Sequence, residues 1–179
     1  MNKFEKISFE QWKKDYPFEA PTLNTVGACS KDDEDFWQLI KEEYDNIKSP
    51  KRATMFSAGY DIYAPYDIII LPKGTVKVPT GIRVLLDDDK FLAIYPRSGL
   101  GFKYKMQLYN SVGVIDADYS NSDNEGHIWA KFYNDSPDGK TITIKQGEAM
   151  CQGIIQQYFT TIDDVADGVR NGGMGSTTK

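Results

Sequence analysis

The feature that most constrains this chain is a series of short β-type segments between residues 53 and 159, each cut off by turn residues. Segment 60–64 is a short strand, and Ile68-Ile-Ile-Leu71 is a continuous aliphatic run of the kind buried on both faces of a sheet. Pro72-Lys73-Gly74 then makes a turn. Val76 and Val78 alternate, Pro79-Thr80-Gly81 breaks the ladder, and Ile82, Val84 and Leu86 resume it, as two short strands or one with a bulge. After the polar turn Asp87-Asp88-Asp89, strands are expected at 91–95, 110–116, 127–133, 141–144 and 149–159. Strands this short and this closely spaced predict an antiparallel sandwich or barrel, not a βαβ sheet.

The two flanks read differently. Ser8 with Gln11 three positions on suits the start of a short helix. Asp32-Asp-Glu-Asp35 places acids where a helix dipole favours them, and Phe36, Leu39, Ile40, Tyr44 and Ile47 follow at helical spacing until Ser49-Pro50. That stripe is read as a face docked on the main domain, with a partner-binding helix as the sharper alternative. Residues 160–179 lose all periodicity. The expected division is therefore a helical extension over 1–52, a β domain over 53–160 and a glycine-rich arm over 161–179.

Composition removes several functions. The chain has 179 residues, 40% of them hydrophobic, and a net charge of −5, which argues against nucleic-acid binding through a basic surface. No apolar run approaches a membrane span, and the first residues lack the apolar core of a signal peptide, so a cytoplasmic protein is expected. His127 is the one histidine, which excludes a multi-histidine zinc site and leaves little room for a Ser-His-Asp triad. Cys151 lies in an apolar run as a buried thiol, whereas Cys29 sits in a polar loop with no sign of reactivity. Any chemistry must run on carboxylates, hydroxyls and Arg or Lys, with or without a metal bound through oxygen.

Four stretches carry such groups. In 110–119, Val112, Val114 and Ile115 make strand material, Gly113 interrupts it, and Asp116 and Asp118 stand two apart on one expected face, followed by Tyr119. A carboxylate beside a glycine-opened strand is a general-base candidate; two turn aspartates are the plainer alternative. Arg97, Ser98 and Gly99 follow a strand directly, so a helix starting at Ser98 would present free N–H groups to a phosphate, although Pro-Arg-Ser-Gly also makes an ordinary turn. Gln152 is polar within an apolar run and serves a ligand or water, or else faces solvent. The tail from Arg170 to Lys179 is a disordered terminus or an anion clamp of glycine amides, hydroxyls and a guanidinium.

Together these stretches resemble the homotrimeric dUTP diphosphatases, the dUTPases. Ala58-Gly-Tyr-Asp-Ile-Tyr-Ala64, Pro96-Arg-Ser-Gly-Leu100, the segment with Gly113-Val-Ile-Asp-Ala-Asp-Tyr119, Gly147-Glu-Ala-Met-Cys-Gln152, and Arg170 to Thr177 match that family's five motifs in order. The resemblance covers about residues 53–179 and implies an all-β antiparallel jelly-roll with a helical extension and a flexible C-terminal arm. It implies a homotrimer that hydrolyses dUTP to dUMP and pyrophosphate with Mg²⁺, limiting uracil in DNA and supplying dUMP for dTMP synthesis. It implies that Asp116 is the base, that Gln152 helps hold the water, and that Asn110 and backbone near Gly113 recognise uracil. Tyr119 would pack beneath the deoxyribose, Arg97, Ser98 and Gly99 would hold phosphate oxygens, and Asp61 would sit near the metal and its waters. Arg170, Gly175, Ser176 and Thr177 would close over the triphosphate and Met174 would cover the base. Neither nucleic acid nor membrane is implied as a partner; residues 1–50 are left for a possible protein partner.

Three departures stand out. Ser-Asn-Ser-Asp-Asn-Glu separates Tyr119 from Gly126, so the hairpin tip is enlarged. Met174 stands where the family usually has phenylalanine, and Thr178 replaces a closing glycine. Two other functions compete. A dCTP deaminase of the same fold would need a glutamate where this chain has Lys131, and a different sequence over 116–119. A nucleotide-gated regulatory protein would use the N-terminal extension.

Overall fold

The computed structural model describes residues 1–17 and 34–172. Its elements run β1 (Lys3–Lys6), α1 (Phe9–Asp15), α2 (Glu34–Asp45), β2 (Lys51–Arg52), β3 (Tyr60–Tyr63), β4 (Ile68–Ile70), β5 (Thr75–Pro79) and β6 (Ile82–Leu85). They continue as β7 (Lys90–Pro96), α3 (Ser98–Tyr104), β8 (Met106–Leu108), β9 (Gly113–Asp116), a 3-10 turn (Ala117–Asn121), β10 (Trp129–Asn134), β11 (Ile142–Ile144) and β12 (Ala149–Gln157). The strands form an antiparallel jelly-roll. Its largest sheet has the order β2-β3-β12-β7-β9, a second has β5-β10-β8, and β11-β4 and β1-β6 are two-stranded.

β7 shows what an interior strand of the large sheet requires. Leu92, Ala93 and Ile94 are all buried, and the strand pairs with β12 on one side and β9 on the other. A run of apolar residues suits a strand covered on both faces. β4 carries a similar run but behaves otherwise. Ile68 and Ile70 are buried while Ile69 is 52% exposed and Leu71 65% exposed. The expected two-sided burial fails: Ile68 and Ile70 turn into the core, while Ile69 stands on the opposite face of the strand, which no described element covers. Residues 75–85 form two strands and not one bulged strand. Gly81 takes φ 71° at the break, and β5 joins β10 while β6 joins β1.

The N-terminal segment is built into the core, not hung on it. Ile7, Trp12, Tyr16, Phe36, Ile40 and Ile47 belong to the same buried cluster as the strands. Trp12 is fully buried, and truncating such a side chain to alanine costs about 3–5 kcal/mol. Ser8 caps α1 as its sequence suggests, accepting a hydrogen bond from the Gln11 amide at 3.1 Å. The α2 stripe turns inward through Phe36 and Ile40, but the helix ends at Asp45, before Ser49-Pro50, and Ile47 reaches the core from beyond it. Asp32, Asp33 and Cys29 lie outside the described residues.

The extension also holds a strand that its sequence did not announce. β1 pairs with β6, placing Phe4 opposite Val84, and the Phe4 ring packs 5.2 Å from that of Tyr60. Lys3-Phe-Glu-Lys6 has one apolar residue, so nothing local marks it; a waiting sheet edge does. No helix among the described residues is long and apolar enough to cross a membrane.

Candidate active site

β9 carries the central carboxylate. The strand starts at Gly113, so this glycine opens the strand and does not interrupt it as the sequence suggested. Before it, residues 110–112 form a tight turn with Ser111 at φ 67°. A Cβ on Gly113 would come 3.1 Å from Ile94 Cβ, so the residue lets β9 lie close against β7. The chain then leaves β9 at Asp116 into the 3-10 turn. Asp118 therefore does not share a strand face with Asp116, contrary to the period-two expectation.

The two aspartates are brought together by Arg170 instead. Its guanidinium hydrogen-bonds Asp116 through one terminal nitrogen and Asp118 through Nε at 2.7 Å. It also lies 5.9 Å from the centre of the Tyr119 ring. Arg170 is mostly buried by these contacts, whereas both carboxylates remain about half exposed. Beside them is a cavity of about 200 Å³ lined by Asn110, Gly113, Asp116, Tyr119, Trp129 and Arg170, among others. Four groups separately legible in the sequence thus line one hollow: the turn at Asn110, the opened strand, the carboxylate and the tyrosine.

Trp129 was not singled out by the sequence. It lines this cavity and the adjoining one of about 230 Å³, with Lys77 Nζ 4.2 Å above its ring. Its only sequence signal was a place on the strand that follows the enlarged tip, where an aromatic residue is ordinary strand material.

A second group of candidates gathers at the other end of the large sheet. Arg97 Nε is 3.1 Å from Asp61 Oδ1, on β3, and the Arg97 terminal nitrogen donates to the Ala149 carbonyl at 3.4 Å. α3 begins at Ser98, as expected, with Arg97 as an N-cap that makes no side-chain cap bond. Ser98 and Gly99 are exposed at that helix start. Gln152 faces Asp61 across β12 and β3 and donates from Nε2 to the Pro96 carbonyl at 3.1 Å.

The two groups do not meet within one chain. Gln152 pairs with Tyr95 on β7, and Asp116 pairs with Phe91 on the same strand. Four positions separate these pairings, about 13 Å along the strand, and β12 and β9 flank β7 about 10 Å apart. Of the arm, Arg170 is described and touches the Asp116 group; Met174, Gly175, Ser176 and Thr177 lie outside the described residues.

Two other groups are removed from the chemistry by their surroundings. Burial, with Asp61 nearby, pushes the Cys151 thiol up to about 12, so it stays protonated and is no nucleophile. His127 is fully buried, and both ring nitrogens are engaged: Nε2 accepts the Gly81 N–H at 2.9 Å and Nδ1 faces Asp15 Oδ2 at 2.6 Å. Burial holds its pKa below the ordinary 6.5, against the opposing pull of Asp15. No group of three or more His, Cys, Asp or Glu side chains among the described residues is placed to hold a metal.

Comparison with known proteins agrees with this geometry. The dUTPase family model matches residues 45–178. A deoxyuridine 5′-triphosphate nucleotidohydrolase of Lactococcus lactis is 37% identical over 150 residues, covering 79% of this chain and 95% of its own. The enzyme of the same name from Paramecium bursaria Chlorella virus 1 is 33% identical over 146 residues, covering 78% and 96%. Among solved structures, the dUTPase of Streptococcus mutans superposes with a TM-score of 0.58 at 36% identity, over 65% of this chain and 90% of its own. A point mutant of the dUTPase from phage phi11 of S. aureus, described with a structural Mg(II) ion, shares the fold at 20% identity with a TM-score of 0.57, over 69% and 92%. With a family model spanning three quarters of its length and relatives of this identity, the chain belongs to the dUTPase family.

Proposed function

We propose that this protein hydrolyses dUTP to dUMP and pyrophosphate. The observation that carries the reading is the hollow in which Asp116, Tyr119, Asn110 and the strand-opening Gly113 stand together. Asp116 takes the proton of a water that attacks the α-phosphorus; the bond from that phosphorus to the bridging oxygen breaks and pyrophosphate leaves. Gln152 helps to hold the water. Asn110 and the backbone at Gly113 read uracil, since a fixed donor and acceptor pattern rejects the amine of cytosine. Tyr119 supports the deoxyribose and leaves no room for a 2′-hydroxyl. Arg97, Ser98 and Gly99 take phosphate oxygens. Arg170, Gly175, Ser176 and Thr177 close over the triphosphate, with Met174 over the base.

The distance between the Gln152 and Asp116 groups supports a site assembled from more than one chain, hence a homotrimer. Mg²⁺ fits the donors present in one way. Asp61 is one carboxylate near the phosphate-binding end, too little for an all-protein cage but suited to a hydrated ion whose other ligands are phosphate oxygens. When bound, the ion neutralises charge on the triphosphate.

A pyrophosphate-release assay over dUTP, UTP, dCTP and dTTP tests this, with dUTP strongly preferred. Preferential ammonia release from dCTP would assign the chain to deamination. That outcome would need another base, because Lys131 is exposed with Nζ 4.1 Å from the Tyr109 ring.

A further inference from the structure

The enlarged hairpin tip and the N-terminal segment both fall outside the pattern shared with the family, whose model begins at residue 45. In the fold they explain each other. The tip does not project as a free flap; it wraps back onto the tyrosine that precedes it. The Tyr119 hydroxyl donates to the His127 carbonyl at 3.0 Å and accepts from Asn124 Nδ2 at 2.9 Å. Asn124 is itself pinned, because its Oδ1 accepts the Gly126 N–H at 3.2 Å and its carbonyl accepts the His127 N–H at 3.0 Å. Gly126 sits at φ 73°, and a Cβ there would lie 2.6 Å from Ser120 Cα, so the loop closes only with glycine.

The far side of this loop is gripped by the two ends of α1. At the N-cap, Ser8 donates both its amide, at 2.7 Å, and its hydroxyl, at 2.5 Å, to the Glu125 carboxylate. This takes the place of the reciprocal half of a capping box, since Gln11 reaches forward to Asp15 at 2.8 Å instead. At the C-terminal end, Asp15 Oδ2 meets Nδ1 of His127 at 2.6 Å. The accepting role of Nε2 toward Gly81 places the ring proton on Nδ1, so His127 donates to Asp15. Between the two grips, Trp12 packs against the His127 ring at 6.0 Å between centroids.

Resting on the reading that Tyr119 supports the sugar, we propose that Asn124 is a positioning residue for Tyr119, anchored through Glu125 and His127 to Ser8 and Asp15. This bracket then sets how strictly the site excludes a 2′-hydroxyl. An aromatic ring rejects one extra oxygen only if it does not yield, and here its hydroxyl end is fixed by two hydrogen bonds whose donors and acceptors are held in turn.

The test is kcat/KM for dUTP and for UTP on the full chain, in wild type, Asn124→Ala, Tyr119→Phe, their double variant and Asp15→Asn, with thermal unfolding alongside. Asn124→Ala should lower the dUTP:UTP ratio about 3- to 10-fold, the effect of one lost hydrogen bond, mainly by raising the UTP rate. Tyr119→Phe, which removes both hydrogen bonds of the hydroxyl but keeps the ring, should lower the ratio at least as far, which keeps the test open should the alanine variant fold poorly. The double variant should fall no further than Tyr119→Phe alone, as expected when Asn124 acts through that hydroxyl. Asp15→Asn should move the ratio in the same direction by less. Additive effects, or lowered melting temperatures with an unchanged ratio, would reduce the bracket to plain structure and overturn the proposal while leaving the sugar reading intact. Equal wild-type rates on dUTP and UTP would instead remove the sugar reading, and the bracket's role with it.

Discussion

Arg170 holds Asp116 in a direct ion pair across 54 positions of sequence, and in doing so occupies one oxygen of the half-exposed carboxylate on which the proposed chemistry turns. The contact gives each partner a role that changes on binding: a triphosphate offers Arg170 stronger acceptors, and its departure frees the base from its ion pair. Asp116→Asn should leave nucleotide affinity close to wild type but lower kcat by about 10²–10⁴. Calorimetric titration with a non-hydrolysable dUTP analogue, next to steady-state kinetics, separates the two quantities. Near-normal turnover would place the base elsewhere.

Removing the arginine should harm the reaction, not release it. The guanidinium is needed on phosphate oxygens in the closed state, where a lost charge-assisted donor costs about 10- to 100-fold. Arg170→Ala and deletion of 170–179 should both cut kcat while the mass by light scattering stays that of the wild type. A truncated enzyme working at the full-length rate would show that the arm takes no part.

The separation of Gln152 from Asp116 along β7 makes a prediction about mixtures. Light scattering should give the mass of three chains. Asp116→Asn and Gln152→Ala should each be nearly inactive alone. Co-expressed, they should regain a measurable fraction of wild-type activity, because some sites in mixed assemblies draw an intact Asp116 from one chain and an intact Gln152 from another. Absence of complementation in verified mixed trimers would put both residues in a site of one chain.

His127 should make stability depend on pH. Its folded pKa lies below the 6.5 of the unfolded chain because burial disfavours the cation. The unfolded state therefore binds the proton first, and stability, complete above pH 6.5, declines as pH falls below that value. Asp15 adds a second loss further down. Its partial burial acts the other way, but hydrogen bonds from His127 and Gln11 hold its carboxyl below 3.8. Melting temperatures should thus fall between pH 7 and 5, and His127→Gln should flatten that slope even if it lowers the curve. An equal slope in the variant would assign the acid sensitivity to other groups.

What the sequence determined by itself were the features that short-range physics fixes. The breaks at Gly74 and Gly81, the Ser8 cap and the start of α3 at Ser98 all follow from local hydrogen bonding and backbone sterics, and all stand in the fold. The inward stripe of Phe36 and Ile40 follows from helical period alone. The order of motifs around Asp116 likewise pointed to the family before any contact was known.

Tertiary structure decided whatever depended on a distant partner. Whether Ile69 is covered depends on whether another layer packs on the outer face of β4, which the local run of apolar residues cannot state. β1 exists because β6 offers an edge 76 to 82 positions away, and its own four residues carry no strand signal. Asp118 joins Asp116 through Arg170 and not through a shared strand face. His127, Glu125 and the first helix meet across more than 100 positions, so the purpose of an unusual N-terminus and an unusual loop is visible only together. Caps, turns and periods are settled by neighbours a few residues apart; pairings and charge contacts are settled by topology, which brings remote groups within hydrogen-bonding distance only after the core has closed.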